Sequence, residues 1–263
     1  MARFCALYSG SSGNCTYIGS GDWGILVDAG VSAKQTLQAL AVRNIDPKRI
    51  AGIFLTHEHA DHIKGLRVLA KKLQVPVFAS GGTLDYIIQE SCADPGTQLV
   101  EINGATVEIG GMELQSFPTP HDANQPLGFR ITTGDDRIIG IATDLGHITR
   151  QVETGLTGCD LVMLESNYDD GMLACSRYPY YLKRRIKSPV GHLDNRDCAA
   201  QLLDLAKGGA TRLVLTHLSQ ENNHPEVARQ TVYSQLIMGG LTEQLDFTLQ
   251  VAKRSEPSEM ILL

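Results

Sequence analysis

The sequence lacks the features that mark secreted, membrane-bound or disulfide-stabilised proteins. Its six cysteines form no Cys-x-x-Cys pair and lie mostly in apolar segments, which indicates reduced and mostly buried thiols. No apolar run approaches the roughly 20 residues of a membrane helix, and the amino terminus has no apolar core like that of a secretory signal. We therefore expect a soluble, cytoplasmic protein that makes no contact with a membrane.

A linker and an excess of positive charge are also absent. No Pro/Gly/Ser-rich or highly charged segment divides the 263 residues, so a single domain over residues 1–263 is expected. The net charge of -6 argues against a uniformly basic nucleic-acid-binding surface but is compatible with a local basic patch. One candidate patch interleaves aromatic residues with five basic ones, and its alternative interpretation is a solvated helix face. It is Arg177-Tyr178-Pro179-Tyr180-Tyr181-Leu182-Lys183-Arg184-Arg185-Ile186-Lys187.

The most informative feature that is present is a dense histidine motif after the apolar segment 51–55. The motif reads Thr56-His57-Glu58-His59-Ala60-Asp61-His62. His57 and His59 are two residues apart at the end of a predicted strand, so their side chains point the same way and can hold one metal ion. Asp61 and His62 follow where a helix over 61–73 is expected, and the turn of the chain carries this pair towards a second ion. Imidazole and carboxylate ligands suit Zn, Mn or Fe.

Strand and helix patterns occur in two similar halves. In each half a series of short strands comes first and helices follow. Ser32 is expected to cap a helix over 33–42, and further helices are expected over 195–206 and 225–238. Two mixed β-sheets packed face to face, with helices outside them, accommodate this order of elements in an α/β fold.

Three further residues with metal-binding side chains end predicted strands. His121, Asp144 and His217 each follow an apolar strand, as His57 does. For any one of them a loop or core residue without a metal role is an equally good interpretation. Their shared position nevertheless predicts that they converge on one sheet edge. Asp144 is the natural bridge between two ions, because a carboxylate has two oxygens.

In order and context, these residues resemble the five-motif signature of the metallo-β-lactamase superfamily over nearly the whole chain. The resemblance implies an αββα sandwich with metal ions at the edge of the two sheets. It implies that His57, His59 and His121 bind one ion, that Asp61, His62 and His217 bind the other, and that Asp144 binds both. Asp28 matches an early Asp that supports the ligands in this superfamily.

Three other segments, 8–15, 191–195 and 215–223, resemble the YycJ/WalJ family and, more distantly, the PhnP phosphodiesterases. The YycJ/WalJ resemblance implies 5′ to 3′ exonuclease activity on DNA. Asp194 stands where that family is expected to have Ser, and we expect it to cap the helix that begins near Asn195 with little functional consequence.

The resemblance also assigns a role to His192, which lies in a loop just after the basic segment. In related phosphodiesterases a histidine at this place contacts the scissile phosphate. We therefore expect His192 to stabilise charge on the phosphoryl oxygens and to protonate the leaving group. A structural loop histidine is the alternative. Asn195, Ser12 and Asn14 are weaker candidates for contact with substrate.

The predicted reaction is phosphodiester hydrolysis assisted by two divalent ions, Zn or Mn, with Fe also suited to the ligands. Metal-bound hydroxide is the expected nucleophile, and Asp61 and Asp144 are expected to be catalytic through the ions that they hold. The expected substrate is DNA, as in a repair exonuclease. A small phosphodiester is the alternative substrate, and a thioester or lactone hydrolase of the same fold is the alternative activity.

Overall fold

The computed structural model describes residues 1–263 and contains two β-sheets of seven strands each, with helices on their outer faces. The strands are β1 (Arg3–Tyr8), β2 (Cys15–Ser20), β3 (Trp23–Val27), β4 (Ile50–Phe54), β5 (Val77–Ala79), β6 (Leu99–Glu101), β7 (Val107–Ile109), β8 (Met112–Pro118), β9 (Leu127–Thr132), β10 (Ile138–Ala142), β11 (Leu161–Glu165), β12 (Arg212–Thr216), β13 (Thr248–Val251) and β14 (Ile261–Leu262). The helices are α1 (Ala33–Val42), α2 (Ala60–Ile63), α3 (Leu66–Leu73), α4 (Gly81–Gln89), α5 (Arg150–Leu156), α6 (Asp170–Cys175), α7 (Tyr180–Ile186), α8 (Asn195–Lys207) and α9 (Pro225–Met238), with a short 3-10 turn over Pro47–Arg49.

Both sheets are mixed, as predicted. The first has the strand order β14-β1-β2-β3-β4-β5-β6, and the second has the order β13-β12-β11-β10-β9-β8-β7. Strands β3 to β6 are parallel to one another in the first sheet, and β10 to β13 are parallel to one another in the second. The remaining neighbours are antiparallel.

The apolar strands bury both of their faces. In β3, Ile25 and Val27 lie in the core between the two sheets, whereas Leu26 lies in the core beneath the helices of the first sheet. Successive strand residues point to opposite faces, so a strand covered on both sides is apolar throughout. Phe54 and Phe78 stack between the sheets with ring centroids 4.5 Å apart. The predicted αββα sandwich is therefore confirmed.

Strand direction gathers the carboxyl ends of the site-bearing strands at one edge. In the second sheet β8 and β10 both run antiparallel to β9, and β11 and β12 run parallel to β10. Residues that follow β8, β10, β11 and β12 therefore emerge on the same side of that sheet. In the first sheet β3 and β4 are parallel, so their following residues also share an edge. Ligands commonly bind at such carboxyl edges.

Most predicted helices form at the expected positions, with the expected caps. Ser32 accepts a hydrogen bond from Gln35 N and forms a capping box with the Gln35 side chain. The carboxylate of Asp194 accepts hydrogen bonds from Arg196 N and Asp197 N, which confirms its capping role at α8. Pro225 occupies the first position of α9.

The single helix predicted over 61–73 is wrong, because the chain breaks there into α2 and α3. Gly65 lies between them, and its N–H donates to Ala29 O at 2.8 Å. A Cβ atom at Gly65 would lie 1.9 Å from Val31 O, so only glycine allows this close approach. The predictions also missed α6 and β14.

All six cysteines are free thiols, and four of them are buried, in agreement with the sequence. No helix in the structure combines the length and apolar composition needed to cross a bilayer. The single domain over residues 1–263 stays a prediction.

Candidate metal centre

Three residues that follow strands at the carboxyl edge have a left-handed backbone. Asp28 follows β3 with φ 65°, Asp144 follows β10 with φ 56°, and His217 follows β12 with φ 55°. This conformation costs on the order of 1 to 3 kcal/mol for a residue other than glycine, although Asp, Asn and His adopt it more often than other residues. Such strain concentrates at functional sites, where the surrounding structure compensates for it.

The structure brings all seven predicted ligands together at this edge. Four groups of side chains have potential ligand atoms within 4.8 Å of one another. The groups are His57, His59 and His121; His57, His62 and Asp144; Asp61, His62 and His217; and Asp144, Glu165, His192 and His217. The first and third groups have the same members as the two ligand sets implied by the resemblance. Their roles as ligands remain a prediction.

The contacts within the cluster fit a divalent metal. His57 Nε2 is buried without a hydrogen-bond partner, and such an orphaned nitrogen costs free energy unless something binds it. Neighbouring imidazole rings lie close, with centroids 4.0 Å apart for His57 and His62 and 5.1 Å apart for His59 and His121. Burial, followed by the nearby His62, lowers the pKa of His57 well below its ordinary value. A neutral imidazole is the form that binds a metal ion.

Asp28 orients one of the predicted ligands from behind. His62 Nδ1 donates to Asp28 Oδ2 at 2.8 Å, and Thr56 donates to Asp28 Oδ1 through its N–H and its hydroxyl. His62 Nε2 consequently faces the cluster and lies 3.2 Å from Asp144 Oδ2. Burial alone would lower the pKa of His62, but the carboxylates of Asp28 and Asp144 raise it well above its ordinary value. A carboxylate on the outer nitrogen is the usual support of a metal-binding histidine.

Asp144 contacts members of both predicted ligand sets. Its Oδ2 lies 3.2 Å from His62 Nε2, and its Oδ1 lies 3.2 Å from His217 Nδ1 and 3.8 Å from His121 Nε2. Burial alone would raise the pKa of this carboxyl, but His217 and His62 hold it well below its ordinary value. Asp144 is therefore an anion in a central position.

Glu165 was missed by the sequence analysis, although it ends β11 as Asp144 follows β10. The side chain is fully buried. Its Oε1 accepts hydrogen bonds from His192 Nδ1 and His217 Nδ1, both at 2.8 Å, and its Oε2 accepts from the N–H groups of Leu145 and Leu193. Burial would raise the pKa of Glu165, but His192 lowers it below its ordinary value. The sequence signal that could have identified Glu165 is its position directly after four apolar residues of a predicted strand.

His192 lies directly beside the cluster. Its ring centroid is 5.2 Å from that of His121 and 5.4 Å from that of His217, and its side chain is 14% exposed. With Nδ1 hydrogen bonded to Glu165, its Nε2 is the nitrogen left for other partners. Burial alone would lower the pKa of His192, but Glu165 and Asp144 raise it above its ordinary value.

Of the other residues predicted to contact substrate, only Asn14 lies beside the cluster. Asn14 Nδ2 lies 3.2 Å from Asp61 Oδ2 and 3.0 Å from His62 Nε2, so it borders the cluster. Asn195 is buried, and its amide is hydrogen bonded to Ser166 and Asn223. The structure does not bring Asn195 or the exposed Ser12 into the cluster. Substrate contacts by these residues remain a prediction.

Glu58, inside the histidine motif, also points away from the cluster. Its carboxylate accepts hydrogen bonds from Thr83 Oγ1 and from Asn124 N, at 3.2 and 2.7 Å. Glu58 therefore ties α4 and the loop after His121 to the motif, which is a structural role.

Gly30 is expected to be essential for the geometry around Asp61. A Cβ atom at Gly30 would lie 1.6 Å from Asp61 O and 2.5 Å from Asn14 N. Gly30→Ala should therefore destabilise the protein by about 3 kcal/mol or more, because backbone atoms must move. The midpoint of urea unfolding measures this effect. Gly96→Ala is the matched control, since its Cβ would meet only Asp94 Oδ1 at 3.7 Å; equal midpoints for the two variants would contradict the prediction.

An αββα sandwich that gathers imidazoles and carboxylates at its carboxyl edge defines a metal-dependent hydrolase. A family model described as "Beta-lactamase superfamily domain" matches residues 24–218. Exodeoxyribonuclease YycJ of Bacillus anthracis is 37% identical over 233 residues, which cover 88% of this chain and 87% of that protein. The chain therefore belongs to the β-lactamase superfamily, and the predicted resemblance to the YycJ/WalJ proteins is confirmed.

Solved structures agree with the fold. The metallo-beta-lactamase fold protein YhfI of Bacillus subtilis aligns with a TM-score of 0.72 at 16% identity, covering 98% of each chain. A diphosphatase of the PhnP family aligns with a TM-score of 0.66 at 19% identity, covering 99% of this chain and 98% of that one. At these identities the likeness establishes the shared fold.

Proposed function

We propose that the protein is an exonuclease that hydrolyses phosphodiester bonds in DNA with two divalent ions, Zn or Mn. The observation that carries the proposal is the pair His192 and Glu165. His192 Nδ1 donates to the buried carboxylate at 2.8 Å, which leaves Nε2 for a substrate beside the metal-binding cluster. An imidazole held in this way suits an oxygen on which charge develops, such as a phosphoryl or leaving-group oxygen.

The ligands divide between the two ions as the groups in the cluster suggest. His57, His59 and His121 would hold one ion, and Asp61, His62 and His217 would hold the other. Asp144, which lies beside His62 and His217 of one set and beside His121 of the other, would bind both. When bound, divalent ions lower the pKa of water to about 7 and polarise the phosphate.

The chain itself supplies orientation and proton transfer. Glu165 fixes the ring of His192 and the ring of His217 through the same oxygen. His192 Nε2 then donates a hydrogen bond to a phosphoryl oxygen and delivers a proton to the departing oxygen of the nucleotide. Asp28 keeps His62 aimed at the cluster during this reaction. Hydrogen bonds already hold the rings of His192, His217 and His62, which favours catalysis by preorganisation.

The choice of DNA rests on the relatives. The Bacillus anthracis protein is named an exodeoxyribonuclease, as is WalJ of Streptococcus pneumoniae, and both align with most of this chain. We propose 5′ to 3′ digestion for this protein. A small phosphodiester remains the second candidate substrate, since metal-activated water and a proton-donating imidazole would act on the same bond in a small molecule.

The test is hydrolysis by metal-reconstituted protein of bis-p-nitrophenyl phosphate and of DNA labelled at either the 5′ or the 3′ end. A thioester and a lactone run in parallel test the alternative activity. Early release of labelled mononucleotide from the 5′ end, with the 3′ label retained on long products, is expected. Hydrolysis of the thioester or lactone alone would contradict the proposal.

Glu165→Gln should reduce phosphodiester turnover by roughly 10- to 100-fold, as is typical when the support of a metal ligand is removed. Glu165 has four hydrogen-bond donors around its two oxygens. Glutamine offers one acceptor oxygen and one NH₂ group. The NH₂ group would face N–H donors that now bind one of the carboxylate oxygens. Turnover and bound metal are measured together. Glu113→Gln, on the exposed side of β8, is the control and should match the wild type; equal turnover for both variants would exclude this role.

A further inference from the structure

The basic and aromatic segment forms α7 and the turns around it, and two of its three tyrosines, Tyr180 and Tyr181, are not used in packing. Tyr180 is 76% exposed and Tyr181 is 74% exposed. The helix packs through its other side, where Ile186 and Leu182 contact Tyr168 and Leu173. Large apolar side chains that are left this exposed, side by side, form a surface for binding.

The carboxyl end of α7 is fixed to the candidate metal centre. Arg185 makes two hydrogen bonds to Asp122, at 2.6 and 2.9 Å, and Asp122 follows His121 in sequence. The N–H of His192 donates to Ile186 O at 2.9 Å. The helix therefore begins at a surface and ends at the residues that border the cluster.

Helical spacing places Tyr181 on the face of α7 that leads to this centre. Tyr181 and Arg185 are four residues apart, so they share one face, and Tyr181 lies about 6 Å before Arg185 along the helix axis. Arg184 is three residues after Tyr181 and four after Tyr180, so it lies beside both rings. The Arg184 guanidinium therefore lies between the directions of the two exposed rings, one turn further along the helix.

The positive charge of this segment is only partly neutralised within the protein. Arg185 pairs with Asp122, Lys187 pairs with Asp170, and Lys183 donates to two backbone carbonyls. Arg184 and Arg177 have no hydrogen-bond or ion-pair partner in the structure. The chain as a whole has a net charge of -6, so most of its surface does not attract anions. The unpaired cations of this segment therefore attract an anion to the surface around α7.

We infer that Tyr180, Tyr181 and Arg184 form a stacking platform for unpaired bases of single-stranded DNA next to the metal centre, which rests on the proposed function. Aromatic side chains that stack on bases, with cations that contact phosphates, are the usual means of binding single strands. A duplex presents phosphates but buries its base faces, so it would leave the tyrosines unused. The platform would hold the unpaired strand while its end reaches the cluster.

Fluorescence anisotropy with a labelled single-stranded oligonucleotide and a blunt duplex of the same sequence tests this inference. A chelator keeps the protein free of metal, so binding is measured without cleavage. Tyr181→Ala should weaken binding of the single strand by roughly 5- to 100-fold, and Tyr181→Phe should retain it. Met238→Ala, at another exposed apolar position, is the control and should bind as the wild type does.

Arg184→Ala should reduce the slope of log affinity against log salt by about 0.7 for the single strand, as expected for one lost phosphate contact. Lys207→Ala removes an exposed cation from α8 and should not change this slope. The salt titration separates a phosphate contact from a general change in charge.

Unchanged single-strand binding by Tyr181→Ala, or an equal loss on the duplex, would overturn the inference. Tyr181-dependent binding to phosphatidylserine vesicles but not to the oligonucleotide would assign the face to a membrane and would also overturn it. Wild-type hydrolysis of bis-p-nitrophenyl phosphate tests the proposed function separately. If that hydrolysis occurs and the Tyr181 variant binds normally, only the platform fails.

Discussion

His192→Ala should lower phosphodiester turnover by about 10²- to 10⁴-fold, the usual contribution of a positioned proton donor, while bound metal stays unchanged. The separation of these two effects follows from the contacts of the ring. His192 is not one of the seven predicted ligands. Glu165 keeps its hydrogen bonds to His217, Leu145 and Leu193 when the imidazole is removed. The ligand geometry is therefore retained while the donor is lost.

The measurement is kcat for bis-p-nitrophenyl phosphate and for DNA, with metal content determined on the same preparation. His147→Ala is the matched control, because His147 is exposed and its Nδ1 donates to Pro189 O in an adjacent loop. We expect the control to match the wild type. Turnover that is also unaltered in His192→Ala would make His192 a structural loop residue, and loss of metal would make it a ligand.

Asp144→Asn should abolish stable binding of both ions and lower turnover by roughly 10³-fold or more. Asp144 is buried and lies beside His62 and His217 of one proposed ligand set and beside His121 of the other. Asparagine keeps the shape but has one oxygen, and its NH₂ group cannot bind a cation. The change also removes the central negative charge that would offset the charge of the two proposed ions.

Metal titration followed by calorimetry, together with kcat, measures this prediction. Asp136→Asn is the control, since Asp136 is an exposed turn residue with a similar left-handed φ of 59°. The comparison removes any effect of replacing Asp by Asn in this backbone conformation. An Asp144→Asn protein that still binds two ions per chain would contradict the bridging role.

Sequence reasoning located the candidate site because its residues share a position that can be recognised without coordinates. His57, His121, Asp144 and His217 each follow an apolar strand, and such strands end at a common edge when their directions agree. Helix boundaries were predictable where local chemistry decides them. The Ser32 cap of α1 and the Pro225 start of α9 are examples.

The missed features depend on residues far apart in sequence. Glu165 acquires its role from His192 and His217, which lie 27 and 52 residues further along the chain. The break between α2 and α3 depends on Gly65 meeting Ala29 and Val31, which local propensity does not encode. The amide of Asn195, a candidate for substrate contact, is instead hydrogen bonded to Ser166 and Asn223.

The left-handed backbone at Asp144 and His217 also limits which side chains can replace them. Aspartate, asparagine and histidine tolerate this conformation, whereas longer or branched side chains adopt it rarely. Glutamate and cysteine are otherwise good metal ligands. At these two positions they would add backbone strain, and their side chains also differ in length from those of aspartate and histidine. Natural variation or redesign at these strand ends is therefore confined to exchanges between imidazole and short carboxylate or amide groups, so the shape of the main chain restricts the metals that such a site can evolve to prefer.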